Sequence, residues 1–307
     1  MLYKIESPVY FERILENFQQ PLCIKTTQKR LALQDALSNH DLERTITSGK
    51  EYSQILSELI QHLQINRNVQ LTSQPMFDWN LEKESYMSPC WKWDLLMTNS
   101  VIASAYEFIA VKHMEQTAWV DATKNIKESQ KYINIIVNKI LPSWSWKLNE
   151  PISQTQQQFW KAKYSWNEAL LHLNTLNYGI GQNISEANQI KLLSRIEWWA
   201  QDAVALWGKE NKTYYPSELM NWARCGRAYT TGTKWWREEK YGESLGLLTK
   251  WKNSFEHIEK TNISKITLTH YEEHILETYD TYTSKNENIF FNEVDKNITL
   301  PEIKSIS

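Results

Sequence analysis

Cysteine is scarce in this chain. There are three, Cys23, Cys90 and Cys225, an odd count at wide spacing with no Cys-x-x-Cys pair. That argues against a disulfide framework and for reduced thiols in a cytosolic setting. Glycine and proline are scarce as well, eight of each in 307 residues, so tight turns are few and long helices are expected. No apolar run approaches the length of a membrane span, which leaves peripheral association as the most a membrane contact could be. There is no excess of positive charge: the formal net charge is −2 and no four Lys/Arg residues run together. Binding of nucleic acid through bulk basicity and a polybasic patch for anionic lipid are thereby excluded. The first residues, MLYKIESPVYFERILENF, lack the apolar centre of a secretory signal and are too acidic for a transit peptide. With a cytoplasmic location expected, the sequons at Asn183, Asn211, Asn262 and Asn297 have no use. The last cysteine is Cys225, so the chain cannot end in a prenylation box.

What is present is core material. Apolar residues make up 41% and tryptophan reaches 15. Each indole N–H needs a partner when buried, so part of this set should sit at the edges of helix interfaces. Residues 3–11 alternate loosely and allow one short strand. Residues 28–48 read as one helix, and Tyr52, Ile55, Leu56, Leu59, Ile60 and Leu63 form a stripe on another. Residues 66–91 read as a polar connector punctuated by Phe77-Asp78-Trp79. A helix buried on several sides runs from Trp91 to Lys112, with Leu95, Leu96, Val101, Ile102, Phe108 and Ile109. Another follows from Thr117 to Leu141 and is stopped by Pro142. After a connector at 142–154, helices are expected over 155–178, from just after Gly179-Ile180-Gly181, from Tyr215-Pro216-Ser217, and over Thr261–Tyr282. The tail 285–307 carries Ile289, Phe290, Phe291, Val294, Ile298 and Leu300, too apolar for a solvated segment. We expect one domain over 1–307: an N-terminal part to residue 50, a helical core over 51–282, and a tail packed back on it. There is no 34-residue repeat.

The most distinctive stretch is Trp222–Leu248, WARCGRAYTTGTKWWREEKYGESLGLL. Leu219, Trp222, Gly226, Tyr229, Thr233 and Trp236 share one helical face, and Tyr241, Leu245, Leu248 and Trp251 share the next. Gly242 falls where the chain should reverse, and Ala223, Gly226 and Ala228 should let a neighbouring backbone come close. A long Ala-rich helix followed by Lys-Tyr-Gly-Glu and an aliphatic helix resembles the Bro1 domain of ALIX-like ESCRT accessory proteins. The resemblance extends in order along the chain. Phe77-Asp78-Trp79 is similar to the aromatic-x-Trp before the family's central helices. Trp93–Asn99 resembles its Glu-x-x-x-Leu-Phe-Asn helix, Ala122–Ile140 the helix that follows, and Asn288–Pro301 its closing segment.

The resemblance implies an all-α, curved, boomerang-like helical solenoid with a small N-terminal sheet. It also implies a non-enzymatic adaptor with no cofactor. Its protein partner would be the C-terminal amphipathic helix of an ESCRT-III subunit, lying in a surface groove. Aligned on this chain, the groove falls at Leu171, Thr175, Tyr178, Asn188 (or Gln189) and Leu192. Tyr178 stands where the family has Lys, and Asn188 or Gln189 where it has Ile, so the groove is more polar than usual. Phe291 replaces the family's tail tyrosine, which removes phosphorylation at that position. An alternative keeps the fold but makes the chain a structural subunit of a larger assembly with the groove unused.

His270-Tyr271-Glu272-Glu273-His274 matches a zinc-binding H-x-x-E-H. The match is short, its surroundings are polar, and few residues remain to give a third ligand, so a solvated helix face and no metal are expected. Gly179-Ile180-Gly181 lacks a P-loop lysine and reads as a plain turn. Cys225, between Arg224 and Arg227, reads as a packing residue rather than a nucleophile.

Overall fold

A computed structural model describes residues 3–15, 18–66, 69–81, 84–143, 152–207, 215–255, 262–269 and 271–302. In chain order it contains β1 (Tyr3–Ile5), α1 (Phe11–Ile14), α2 (Gln20–Ser38), α3 (Leu42–Ile65), β2 (Phe77–Leu81), β3 (Glu84–Ser88), α4 (Trp91–Glu115), α5 (Trp119–Ile135), α6 (Gln157–Gly181), α7 (Glu186–Trp207), α8 (Pro216–Arg237), α9 (Tyr241–Phe255) and α10 (Tyr271–Lys285). The chain is therefore mostly helical with one small sheet, as expected. None of the helices is long and apolar enough to cross a membrane. Two compact units are formed, one of Met1–Lys112 with Lys124–Trp160, the other of His113–Thr123 with Lys161–Ser307.

In the first unit the sheet is antiparallel in the order β1-β2-β3, with Ile5 opposite Trp79 and Trp79 opposite Tyr86. Phe77, Trp79 and Leu81 point to the core at every second position of β2. The connector read over 66–91 thus contains a hairpin, whose period-two signal is only three residues deep. The single helix read over 28–48 is two. The break comes at Asn39-His40-Asp41, where His40 takes a φ of 54° and the Asp41 side chain accepts from the Arg44 N–H at 3.0 Å. α4 is buried on several faces, with Trp93, Leu96, Met97, Val101 and Ile102 inside, but Phe108 is 44% exposed. α5 runs on through a π turn, Ile136–Ile140, and a 3₁₀ turn, Leu141–Ser143. Pro142 has no N–H to close the next α turn, so the preceding carbonyls are freed and the helix widens there.

A charged centre ties this unit together. Asp94 and Arg30 are both fully buried, with Arg30 Nε 3.1 Å from Asp94 Oδ2. Trp79 Nε1 donates to the same carboxylate at 2.5 Å, and the Tyr52 hydroxyl donates to it as well. Arg30 Nη1 reaches the Ser7 carbonyl at 2.8 Å. Burial first, then the Asp94 charge, holds the Tyr52 phenol well above its ordinary pKa, so it stays a donor. Four segments therefore depend on one carboxylate.

In the second unit α8 packs against α7, α9 and α10. Gly226 gives close approach, though to side chains: a Cβ there would meet Tyr271 at 2.5 Å and Leu193 at 2.8 Å. Gly242 is not the reversal point. Glu239, with φ of 64°, makes the turn. Gly242 lies in the first turn of α9, where a Cβ would be 2.1 Å from the Glu293 carbonyl oxygen, and at Gly246 it would be 1.9 Å from that of Asp295. These two glycines, one helical turn apart, leave a bare strip on α9 against which the backbone of 293–295 rests. The Asp295 N–H donates to the Gly242 carbonyl at 3.2 Å, and Arg227 donates to the Pro301 carbonyl. Phe290 stacks on Tyr241 at 4.0 Å between centroids. Val294, Ile298 and Leu300 are half-buried, whereas Ile289 and Phe291 are exposed.

Candidate functional site

The candidate groove residues all lie on the α6/α7 hairpin. α6 is buried on most of its circumference, with Trp166, Ala169, Leu170, Leu173 and Leu176 inside. Buried amides fix its rotation. Asn174 Nδ2 donates to the Trp119 carbonyl and to Thr123 Oγ1, each at 2.8 Å, and Asn177 Nδ2 to the Ile266 carbonyl at 2.7 Å. A narrow outward strip is left, and Leu171, Thr175 and Tyr178 occupy it at spacings of four and three.

The turn between the helices is a Schellman motif. Asn183, not a glycine, takes the left-handed conformation at φ of 54°. The Ile184 N–H donates to Gly179 at 3.1 Å and the Asn183 N–H to Ile180 at 3.0 Å. Gly179 is needed for another reason, because Ile184 sits where its Cβ would be, at 2.6 Å. Gly179-Ile180-Gly181 is thus the last turn of α6. Ser185 Oγ accepts from the Asn188 N–H at 3.4 Å at the start of α7.

The two helices are antiparallel. Ser165 donates to Asp202, and the rings of Tyr164 and Trp199 meet at 6.5 Å. Carried toward the turn, that register sets Thr175 across from Leu192 and Tyr178 level with the first turn of α7. Tyr178 is 51% exposed. Thr175 and Asn188 are exposed, and Leu171 and Leu192 are half-buried. The Thr175 hydroxyl donates to the Leu171 carbonyl at 2.8 Å. Gln189, the other candidate beside Asn188, turns its amide back to the Ile184 carbonyl at 3.1 Å, so Asn188 is the freer of the two. The five residues form one strip, with Leu171 farthest from the turn.

Three neighbours were not among the groove candidates. Arg195 lies beside His172, and its buried Nε has no hydrogen-bond partner among the described residues. Burial, and then the Arg195 charge, pushes the His172 imidazole down to about 4, so it is neutral near pH 7. Trp198, one turn beyond Arg195, is 41% exposed. Residues 188, 192, 195 and 198 repeat at three and four, a pattern that was legible, but the sequence does not say which face of a well-buried helix is left open. The strip therefore offers apolar surface at both ends and a cation between them. Such a surface suits an amphipathic helix bearing an acidic residue.

His270 lies outside the described residues. His274 is exposed and its ring rests 5.8 Å from that of Tyr229. Among the described residues no group of three or more His, Cys, Asp or Glu is placed to hold a metal. Cys225 is buried.

No family model matches the chain, and no curated protein matches it. Solved structures do. ALIX in complex with the SIVmac239 PYKEVTEDL late domain matches with a TM-score of 0.80 at 12% identity, over 99% of this chain and 47% of that one. The chain thus spans about half the length of that ALIX structure. The ALIX BRO1–CHMP4C complex matches with a TM-score of 0.79 at 12% identity, over 100% and 92%. A Bro1 domain described as a basis for endosomal targeting matches with a TM-score of 0.69 at 13% identity, over 99% and 89%. The chain has a Bro1-like fold.

Proposed function

We propose that this Bro1-like chain is a non-enzymatic adaptor that binds an amphipathic helix of an ESCRT-III-type subunit along the outer strip of α6 and α7. It would act in the cytoplasm, peripherally on endosomal membranes, in sorting or membrane remodelling. The observation that carries the reading is the match, over all of this chain, to a Bro1 domain solved with CHMP4C. The strip supports it by its chemistry. Tyr178, Leu192, Leu171 and Trp198 offer apolar surface, while Lys191 is exposed and Arg195 has a buried Nε without a partner. A helix with apolar residues at i, i+3/i+4 and i+7 and an acidic residue between them fits that order.

The test is a pull-down of C-terminal helices of ESCRT-III subunits with the purified chain and its Tyr178→Asp/Leu192→Asp form. Capture by the parent and loss in the double variant, at unchanged helicity, is expected. Capture that survives the double substitution would move the site elsewhere.

A second reading makes the chain a built-in subunit of a larger assembly. Exposed apolar side chains away from the strip favour it: Ile289 at 62%, Phe291 at 74% and Val120 at 79% exposure. It predicts a stable co-purifying partner whose removal leaves the chain poorly soluble, and no capture of ESCRT-III helices.

A further inference from the structure

The first unit holds a cavity of about 220 Å³ between α3, the start of α4 and the π turn that ends α5. Its floor is apolar: Ile60, Leu95, Ile135 and Ile140. Two cations line it, Lys92 from the first turn of α4 and Lys139 from the π turn, and among the described residues no carboxylate does. The Lys92 ammonium donates to the Ser143 carbonyl, a neutral acceptor, which leaves two of its three protons for others. Ser53 is a further lining donor. Its Oγ accepts from Asn99 Nδ2 at 3.0 Å, so its own proton is free for a second acceptor. Asn99 is almost wholly buried, and a polar pair in the wall is more than apolar packing requires. The backbone beside the cavity is the widened π turn, a deviation from regular helix that recurs at functional sites.

These features select a ligand class. Two ammonium groups without an acidic partner among the described residues match a dianion better than a carboxylate, and the hydroxyl suits a phosphate oxygen. The apolar floor would be left wet by a bare phosphate ion. A cavity below the roughly 300–1,000 Å³ of drug-sized sites is too small for a nucleotide. We infer that this cavity binds a small phosphomonoester, with the phosphate between Lys92 and Lys139 and a single ring or short alkyl body over Ile60, Leu95 and Ile140. The ester is either a soluble molecule or the head group of a phosphatidic-acid-type lipid. Both present the same chemistry to the two lysines.

The experiment is calorimetry on the full chain with phenyl phosphate and with inorganic phosphate, repeated on Lys92→Gln and Lys139→Gln. Saturable one-site binding of phenyl phosphate is expected, weakened about tenfold or more by Lys92→Gln and less by the more exposed Lys139→Gln. Inorganic phosphate should bind at least about tenfold more weakly, for want of the apolar contact. Lys139 is exposed and bears no described fold contact, so that variant keeps the test valid if Lys92→Gln unfolds. Flotation with phosphatidylcholine vesicles containing phosphatidic acid separates the two sources. Vesicle binding lost in Lys139→Gln assigns the lipid, and binding of phenyl phosphate alone assigns a soluble ester. No saturable binding of phenyl phosphate, or an affinity that neither substitution changes, overturns the inference.

Discussion

The two faces of α7 meet arginines in opposite ways. On the face toward α8, Glu197 is nearly buried and meets two guanidiniums, Arg224 at 2.7 Å and Arg227. Leu193, Ile196, Ala200 and Ala203 complete that face. On the outer face Arg195 is paired with no described carboxylate, Leu192 is half-covered, and Trp198 stands partly in solvent. One helix thus meets paired guanidiniums where it holds the fold and carries, on its outer face, one with no carboxylate partner among the described residues. The lesson is that an arginine marks a candidate site by the counter-charge it lacks, not by its presence.

The contrast can be broken most forcefully from the inner side. Glu197→Ala leaves Arg227 buried without a counter-charge and should cost about 3–5 kcal/mol, read as a lowered urea midpoint. A result below about 1 kcal/mol would mean the inner pair is as dispensable as a surface one. Gly246→Ala should cost about 1–3 kcal/mol, because its methyl would displace the Asp295 carbonyl from α9. Limited proteolysis of 293–302 should accelerate in the same variant.

His172 sharpens the comparison through pH. Its folded pKa of about 4 lies below the ordinary 6.5. The unfolded chain therefore binds the extra proton first, and the stability it contributes is whole above pH 6.5 and lost as pH falls toward 4. With the imidazole half-exposed the loss should be about 1 kcal/mol. Urea midpoints across that window should fall for the parent and stay flatter for His172→Gln. The smallest effect on stability belongs to the outer face: Tyr178→Asp and Leu192→Asp should together shift it by less than about 1 kcal/mol.

Much of this was legible beforehand. The long helices announced themselves by period, Pro216 marked the start of α8, and Pro142 marked the distorted turns that follow α5. The order of motifs pointed to the Bro1-like fold. What failed did so for local reasons. The α2–α3 break has no Gly or Pro, only Asp41 as a cap, and His40 supplies the left-handed turn that a glycine would have signalled. Gly242 looked like a turn because its reason, the carbonyl of Glu293, lies fifty residues away in sequence. Asp94 looked like any first-turn acid, and only the fold brings Arg30, Tyr52 and Trp79 to it. The outer strip is proposed from the resemblance. Its cation could not, since Arg195 and Arg224 look alike until burial and partners are known.

The measurement that bears most directly on the account is calorimetry of the intact chain with synthetic C-terminal helices of ESCRT-III subunits, in parallel with the Tyr178→Asp/Leu192→Asp form. The account predicts one-to-one binding near micromolar affinity, about −8 kcal/mol, abolished in the double variant while its urea midpoint stays put. Binding to none of the helices, or equal binding by both proteins, would contradict it.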